Sequence, residues 1–387
     1  MAKKEILSVA AFVAILAAGG IAVAATGHHE FSDNENRYLT QFPTVNYADV
    51  MSGEVQEDIT NAFNDQFPQR DSWTGLSTKV KKLMGMKDIG GVYLGKDHYY
   101  FEKIMNQDIS RTDYFQNLRF VNRMAELCGN ARVTAMLVPS PGIILKDKLP
   151  EHAVLYNADS MYKIAAETLQ DVSLLDIRRD MRDAGKETKG AGVSSENDRE
   201  TQVYYKTDHH WTQYGAYVGY RAYCRQVNRK ASAYKNFAIE KLSDSFYGTL
   251  YSKALDQDAV PDTMEVPTKL PEAEVVCDGR KMDTIYDMTK KEQKDKYAVY
   301  FGGNYGEVTI RMKDAKKDKT LLIFKDSFAN SMVPFLMKDY SEIRMIDLRY
   351  FKGSVKKYLE KEPADEVLVL YEMSSFAQAD KLNKLMK

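Results

Sequence analysis

The sequence predicts a three-layer α/β/α fold in which helices cover both faces of a mostly parallel sheet. From about residue 110, stretches of helical periodicity alternate with short apolar runs. These runs, which include TLLIF and DEVLVLY, are largely apolar throughout instead of alternating with polar residues. Such runs are typical of parallel strands that are buried on both faces. The chain has 387 residues, of which 44% are apolar, so it is long enough for one large or two modest domains.

The N-terminus predicts a membrane anchor or an export signal over residues 1–26. Lys3 and Lys4 precede a run without charge, residues 6–26, which as a helix is roughly 30 Å long and can span a bilayer. The lysines favour the cytoplasmic side, so the rest of the chain is expected outside the cytoplasmic membrane. Residues 22–24, Ala-Val-Ala, also fit a small-residue cleavage site. Both an uncleaved single-pass anchor and a cleaved signal predict export, and a buried soluble helix is disfavoured.

The remaining chain divides into two predicted parts. Residues 27–109 form a tether and an N-terminal extension, in which residues 90–102 are typical of a hairpin. Residues 110–387 form the α/β domain. Residues 234–312 interrupt its rhythm with charges, prolines and short β-like pieces, and we interpret them as an insertion with its own irregular β structure. The other expected elements of this domain are, in order, helix DYFQNLRFVNRMAELCGN, strand ARVTAMLVPSP, helix MYKIAAETLQ, strand VSLLDI, helix TQYGAYVGYRAYCRQVN, strand TLLIF, helix SFANSMVPFLMKDY, strand EIRMIDL, helix SVKKYLEKE, strand DEVLVLY and a helical tail.

Composition excludes several classes of function. The formal net charge is -1, so nothing favours a nucleic-acid partner. The three cysteines, Cys128, Cys224 and Cys277, are far apart and form no CxxC pattern. A structural zinc site and a disulfide framework are therefore both disfavoured.

Ser327 is the first candidate for chemistry. It follows Lys325 and Asp326 at the end of the strand TLLIF, where a helix begins. In parallel α/β folds, ligands bind beyond the carboxyl ends of the strands, and the N–H groups of a helix N-terminus can hold an oxyanion. Ser327 is thus placed as a nucleophile. Serine and aspartate are also preferred helix caps, so capping alone remains an alternative.

The segment KTDHHW supplies a candidate base. Asp208 and His210 are two residues apart before a helix, so their side chains can lie on the same side, and a carboxylate there can fix the imidazole tautomer. A metal site using Asp208, His209 and His210 is disfavoured because adjacent residues rarely converge on one ion. The alternative is that this segment only caps and packs, with Trp211 in the core. Together with Ser327, Asp208 and His210 provide the groups that acyl transfer requires.

Five motifs together resemble the bacterial DHHW protein family over the chain from about residue 30 to its end. They are SDNENRYLTQFP (residues 32–43), DQFPQRD (65–71), VYLGKDHYYF (92–101), TDHHW (207–211) and KDSFANSMVPFL (325–336). This family is similar to the SGNH-hydrolase-like domain of alginate O-acetyltransferases, which carries an Asp-x-His-Trp motif before its nucleophilic serine. The order is permuted relative to ordinary SGNH hydrolases.

The resemblance implies roles for these residues. Asp208 orients His210, His210 is the base, and Ser327 carries the acyl group, while His209 fills the variable position. It implies no cofactor and no metal. The serine lies in KDSFAN instead of a glycine-led GDS block, so the oxyanion donors are open, with Asn330 and the turn of residues 302–304 as candidates. The residues expected to contact substrate are Arg349, Asn330 and Trp211, although Arg349 is equally typical of a surface ion pair.

The expected function is O-acetylation of a cell-surface or exported polysaccharide through an acyl-enzyme at Ser327. The acceptor is a polysaccharide or cell-wall glycan, and the resemblance implies a membrane-bound O-acyltransferase as the acetyl donor. Two alternatives stay open at this point. One is a carbohydrate esterase or deacetylase that uses the same triad, since water exclusion decides between transfer and hydrolysis. The other is a non-catalytic glycan-binding or assembly protein.

Overall fold

The large sheet has eight strands in the computed structural model. Successive side chains of its central strands point alternately to two separate cores. Leu321 and Ile323 pack into one core, while Leu322 and Phe324 pack into the other. The structure describes residues 3–26, 28–35, 37–44, 49, 51, 55–186, 202–315, 318–379 and 382.

The secondary structure follows the predicted alternation. The helices are α1 (Lys3–Ala25), α2 (Val55–Asp65), α3 (Arg70–Leu83), α4 (Arg111–Leu127), α5 (Pro141–Ile144), α6 (Ala158–Thr168), α7 (Arg178–Ala184), α8 (Gln213–Gln226), α9 (Thr249–Ala254), α10 (Phe328–Leu336), α11 (Val355–Lys361) and α12 (Met373–Gln378). The strands are β1 (Phe31–Ser32), β2 (Arg37–Tyr38), β3 (Asp88–Ile89), β4 (Val92–Leu94), β5 (Tyr100–Glu102), β6 (Arg132–Val138), β7 (Ser173–Leu175), β8 (Ile239–Phe246), β9 (Asp262–Pro267), β10 (Ala273–Cys277), β11 (Arg280–Met282), β12 (Glu307–Met312), β13 (Thr320–Lys325), β14 (Glu342–Ile346) and β15 (Glu366–Glu372).

The chain divides into two compact units. The first comprises Met1–Gly90 and Tyr251–Asp258, and the second comprises Gly91–Leu250 and Ala259–Lys387. The large sheet and both of its cores lie in the second unit. The candidate residues for chemistry therefore all lie in that unit as well.

The strand order of the large sheet is β11-β10-β12-β14-β13-β15-β6-β7. The five strands from β14 to β7 in this order run parallel, and β12, β10 and β11 add to one edge in antiparallel pairing. Part of the segment 234–312 is thus not a separate β structure as we expected, because β10, β11 and β12 extend the main sheet. Of the strands in this segment, β8 and β9 form a separate two-stranded sheet. The short polar-apolar alternation of β10, β11 and β12 does not reveal which sheet edge these strands join.

Helices cover both faces of the sheet. One core contains Val218 of α8 and Met332 of α10. The core on the other face contains Leu118 of α4, Met161 of α6 and Leu359 of α11. Because the central strands β6, β13 and β15 bury both of their faces, the continuous apolar runs of the sequence are explained, and the three-layer architecture is confirmed.

In the first unit, α1 is the one helix among the described residues that is long and apolar enough to cross a membrane. The most apolar 18-residue stretch of its segment Lys4–Ala25 has a mean hydropathy of 2.5. The predicted tether is fastened to the end of α2, since Asp65 accepts hydrogen bonds from Arg37 at 2.6 and 2.8 Å and from the Thr40 N–H at 2.8 Å. At least one charged side chain of the tether, Arg37, is therefore used in an ion pair with Asp65.

Candidate active site

Ser327 stands between β13 and α10, at the carboxyl edge of the parallel strands. Its side chain makes no capping hydrogen bond. Asp326 takes that role, because its Oδ1 accepts from the Phe328 N–H at 2.9 Å and its Oδ2 accepts from the Glu372 N–H at 2.7 Å. Asp326 thereby ties the start of α10 to the end of β15 and leaves the Ser327 hydroxyl available.

The structure brings Ser327, His210 and Asp208 together in one hydrogen-bonded chain. Ser327 Oγ lies 2.7 Å from His210 Nε2, and His210 Nδ1 lies 2.5 Å from Asp208 Oδ1. Asp208 and His210 are buried, whereas Ser327 is partly exposed. Since a carboxylate only accepts hydrogen bonds, Asp208 fixes the proton of His210 on Nδ1. His210 Nε2 is then left as an acceptor that faces the serine hydroxyl.

Asp208 is held in its ionised form by the groups around it. Burial by itself raises the pKa of its carboxyl. The charges of His210 and His209 and the hydrogen bonds from His210 and from the Thr249 N–H outweigh burial, so the pKa lies well below its usual range. A charged Asp208 can stabilise an imidazolium on its neighbour.

Close approach to Asp208 requires a glycine at position 248. A Cβ built on Gly248 would lie 2.2 Å from the Asp208 Cβ and 2.3 Å from its Oδ2. Any side chain there would push the carboxylate away from His210. This contact could not be predicted, because Gly248 lies 40 residues beyond Asp208 in a segment of irregular pattern.

A second carboxylate holds the backbone that leads into the motif. Asp262, which is buried, accepts from the Lys206 N–H at 2.8 Å and from both the N–H and the hydroxyl of Thr207, at 2.8 and 2.7 Å. Burial raises the pKa of Asp262, while these donors oppose it. Asp262 therefore positions Asp208 without touching it.

Tyr297 forms one wall of the site. Its ring stacks on the His210 imidazole with 3.8 Å between ring centroids and an angle of 10° between the planes. Its hydroxyl donates to the Ser331 Oγ at 3.0 Å and to the Ser327 carbonyl at 3.2 Å. Sequence reasoning missed Tyr297, because 25 tyrosines are spread along the chain without a distinguishing pattern.

Trp211 is placed differently from our expectation of a substrate contact. It is completely buried, and its Nε1 donates to the Ser331 Oγ at 2.8 Å and to the Phe328 carbonyl at 3.1 Å. The indole thus joins the motif to α10 from beneath, as a buried tryptophan that finds an acceptor. Trp211 thereby helps to fix the distance between His210 and Ser327, and its side chain is not exposed to solvent.

Arg349 and Asn330 occupy different surroundings. Arg349 is half-exposed and forms a two-bond ion pair with Asp347, at 2.9 and 2.6 Å, which is the surface role that we had weighed against substrate binding. Asn330 is buried, with its Oδ1 2.9 Å from Lys325 Nζ and its Nδ2 3.2 Å from Asn304 Oδ1. Neither residue contacts Ser327 through its side chain.

The group Asp208, His209 and His210 could offer ligand atoms to a metal ion, since these atoms lie within 4.8 Å of one another. Their bonding argues against a fit. Both nitrogens of His210 are used by Asp208 and Ser327, and His209 Nδ1 lies 2.6 Å from Thr249 Oγ1. Burial and the neighbouring His210 lower the pKa of His209. An ion at this place would have to break the chain of hydrogen bonds.

Comparison with solved structures shows the same fold in other proteins. A DHHW family protein from Eubacterium siraeum is 22% identical, with a TM-score of 0.61 over 75% of this chain and 93% of that chain. Bacillus cereus PatB1, with a sulfonyl adduct, is 20% identical, with a TM-score of 0.60 over 76% of this chain and 100% of that chain. The O-acetyltransferase domain of Pseudomonas putida AlgJ is 16% identical, with a TM-score of 0.45 over 76% of this chain and 95% of that chain. No curated protein sequence matches.

The likenesses to the Eubacterium siraeum protein and to PatB1 confirm the predicted α/β fold with a mostly parallel sheet. The family model described as DHHW protein matches residues 87–346, a span that includes the Asp208–Trp211 motif and Ser327. It covers more than half of the 387 residues. The chain therefore belongs to the DHHW protein family.

Proposed function

We propose that this chain is an extracytoplasmic serine O-acyltransferase that transfers an acetyl group to a hydroxyl of a cell-surface or exported polysaccharide. The observation that carries the proposal is the continuous contact from Asp208 through His210 to Ser327, with distances of 2.5 and 2.7 Å. A partly exposed serine hydroxyl against a buried imidazole is the arrangement of an activated nucleophile.

In the first half of the reaction, Ser327 Oγ attacks the carbonyl carbon of an acetyl donor. His210 Nε2 takes the hydroxyl proton as the Oγ–C bond forms, and Asp208 stabilises the resulting imidazolium. When the tetrahedral intermediate collapses, the bond from the carbonyl carbon to the donor oxygen breaks, and His210 returns the proton to that leaving oxygen. The product is an acetyl ester on Ser327.

In the second half, a glycan hydroxyl attacks the ester carbonyl. Its proton passes to His210 Nε2, the bond from the carbonyl carbon to Ser327 Oγ breaks, and His210 protonates Ser327. Water in place of the glycan would give hydrolysis by the same residues. Transfer is preferred here because the motifs 207–211 and 325–336 resemble those of O-acetyltransferase domains.

The negative oxygen of each tetrahedral intermediate needs donors near Ser327. The backbone N–H of Ser327 itself makes no hydrogen bond with the part of the chain that the structure describes. It lies at the N-terminal end of α10, where the helix dipole favours negative charge. We propose this N–H as the first oxyanion donor.

A place of action outside the cytoplasmic membrane is supported by α1, whose length and hydropathy suit a single membrane crossing. Lys3 and Lys4 precede its apolar run and favour the cytoplasmic side, which supports an α/β domain outside the membrane. Acetylation there requires a donor that is available outside the membrane. We propose a membrane-bound O-acyltransferase as the protein that supplies it.

The test uses the full-length chain in detergent with a chromogenic acetate ester, beside its Ser327→Ala variant. We expect turnover by the parent protein and a mass increase of one acetyl group, and the loss of both in the variant. Ser245→Ala, which changes an exposed serine of β8, is the matched control. Equal turnover and no adduct in the parent and in Ser327→Ala would contradict the proposal.

A sulfonyl fluoride provides an independent probe of the nucleophile. The Bacillus cereus PatB1 structure carries a sulfonyl adduct. Sulfonyl fluorides modify activated nucleophiles, so we expect one adduct on Ser327 here, mapped by peptide mass spectrometry. Transfer is then separated from hydrolysis by adding glycan acceptors and measuring acetylated glycan against free acetate. Acetate as the only product with every acceptor would assign the protein as an esterase.

A further inference from the structure

Helix α3 carries an apolar stripe that the proposed reaction does not use. Trp73, Leu76, Val80 and Leu83 are all exposed, Trp73 by 57% and Leu83 by 82%. Their spacing of three, four and three positions places them on one side of the helix, within about 80° of one another around its axis. Single apolar side chains are common on protein surfaces, but a continuous stripe indicates a surface that binds something.

The other side of α3 packs against its own compact unit. The buried Thr78 hydroxyl donates to the Ala254 carbonyl at 2.7 Å. Lys82 Nζ lies 2.7 Å from Asp256 Oδ1. Both partners belong to Tyr251–Asp258, the second segment of the first unit. These contacts fix the rotation of α3 about its axis, so the apolar stripe points away from this segment.

The start of α3 lies beside the end of α1. Thr26, which follows α1, and Arg70, the first residue of α3, line one cavity of about 320 Å³. Next to it, the His29 N–H donates to Gln66 Oε1, and Gln66 Nε2 donates to the His29 carbonyl, both at 2.9 Å. Because we propose that α1 crosses the membrane, the start of α3 lies close to the surface from which α1 emerges.

The residue types of α3 suit a lipid surface. Lys79 and Lys81 are exposed and border the stripe on its two sides. Lysine can bury its methylene stem along an apolar surface while its ammonium group reaches the polar headgroups. The Trp73 ring has an apolar body and a polar N–H, which favours the boundary between water and lipid. An apolar side with tryptophan and leucine, flanked by lysines, is typical of helices that lie in a bilayer interface.

We infer that α3 lies in the plane of the membrane surface and inserts its apolar stripe among the headgroups and upper acyl chains of the bilayer that α1 crosses. The inference rests on the membrane crossing in the proposed function and adds a second attachment to it. The 14 residues of α3 form a helix about 21 Å long. Contact along that length holds the first unit against the bilayer and limits its rotation about α1.

Tryptophan fluorescence tests the inference in the full-length chain. Of the two tryptophans, Trp73 is exposed and Trp211 is completely buried. The protein is reconstituted in vesicles of phosphatidylcholine and phosphatidylglycerol whose acyl chains carry bromine close to the headgroup. Bromine quenches tryptophan on contact, and an interfacial helix is buried about 5–10 Å deep, so Trp73 should lose most of its emission relative to unbrominated vesicles. Trp73→Phe, which retains Trp211, should show no such loss.

Variants test whether the stripe is the inserted surface. Leu76→Gln combined with Leu83→Gln should restore most of the Trp73 emission, because polar side chains weaken insertion. Val154→Gln combined with Met288→Gln is the matched control, since both residues are exposed apolar side chains of the second unit. The control should be quenched like the parent, and circular dichroism verifies folding of both. Parent-like quenching of the Leu76 and Leu83 variant would contradict the stripe as the inserted surface.

Three results would overturn the inference. Unquenched Trp73 in a protein that stays with the vesicles through a carbonate wash would overturn it and leave the crossing by α1 intact. Removal of the protein by the wash would overturn both. Trp73 that is shielded from aqueous iodide but not quenched by brominated lipid would mean that a second copy or another protein covers the stripe. None of these results depends on turnover, so the Ser327→Ala comparison tests the proposed reaction separately.

Discussion

The two ends of the parallel strands each carry a buried carboxylate, and the two ends differ in what surrounds it. At the amino end of β15, Glu366 accepts from Arg229 Nη2 at 3.0 and 3.1 Å, from Lys319 at 3.2 Å and from the hydroxyls of Tyr223 and Tyr340. At the carboxyl end of the sheet, Asp208 is compensated by His210, His209 and Thr249. The pKa of both carboxyls is lowered in spite of burial.

The difference lies in the groups that complete each cluster. Around Glu366 the donors are cations and phenols, and Arg229 joins this cluster to a second carboxylate, Asp339, at 4.0 Å. Around Asp208 the chain of hydrogen bonds continues through His210 to a partly exposed serine hydroxyl. The same compensation of a buried charge thus serves stability at one end and, in our proposal, chemistry at the other.

The largest expected effect is at Asp208. Asp208→Asn should lower kcat/KM about 10⁴-fold, because an amide no longer fixes the His210 tautomer or stabilises its cation. Turnover of the acetate ester measures the loss, and circular dichroism verifies folding. Asp314→Asn, at an exposed aspartate, is the control. A loss below tenfold in a folded Asp208→Asn protein would contradict a catalytic role for the buried carboxylate at the carboxyl end.

At the amino end, Glu366→Gln should lower the free energy of unfolding by about 3 kcal/mol, because it removes the carboxylate that pairs with Arg229 at 3.0 Å and leaves this largely buried cation with Asp339 at 4.0 Å. Turnover per folded molecule should not change. Urea unfolding in detergent measures the stability, with Glu360→Gln on the exposed face of α11 as the control. Reduced turnover at full stability would show that this cluster reaches the active site.

A smaller loss is expected at Gly248. In Gly248→Ala, the added Cβ would fall 2.2 Å from the Asp208 Cβ, so the carboxylate must shift, and displacements of about 1 Å can cost about 10²-fold in rate. Steady-state kinetics should show the loss mainly in kcat. Gly185→Ala is the matched control, since a Cβ there meets its nearest atom at 3.5 Å. Equal kinetics for both variants would mean that Asp208 tolerates displacement.

The smallest expected effect concerns pH at the amino end. Burial raises the pKa of Glu366, but the Tyr340 hydrogen bond and the charge of Arg229 outweigh it, so the folded pKa lies below the ordinary 4.5. The stability that Glu366 contributes is complete above about pH 4.5 and is lost as the pH falls through the folded pKa. The difference in unfolding free energy between the parent and Glu366→Gln should therefore shrink in acid. If the difference in unfolding free energy grew as the pH fell, the pKa of Glu366 would not be lowered by folding.

Several features of the fold and the site could be predicted from local sequence. The run TLLIF had to be a doubly buried strand, because its residues are apolar at every position. Asp208 and His210 could be paired because they are two positions apart along the chain. The placement of β10, β11 and β12 in the main sheet could not be read in this way, since strand partners are chosen by contacts distant in sequence.

The sequence by itself determined the apolar N-terminal helix, the alternation of strands and helices, and the residue types of the motif, because each depends on neighbours along the chain. Only the tertiary structure decided that Ser327 meets His210, which is 117 positions away along the chain, that Tyr297 stacks on the imidazole, and that Gly248 makes room for Asp208. It also turned Trp211 inwards and set Lys325 against Asn304. These are contacts between distant segments, and their geometry is fixed by the packing of both cores and not by any local propensity.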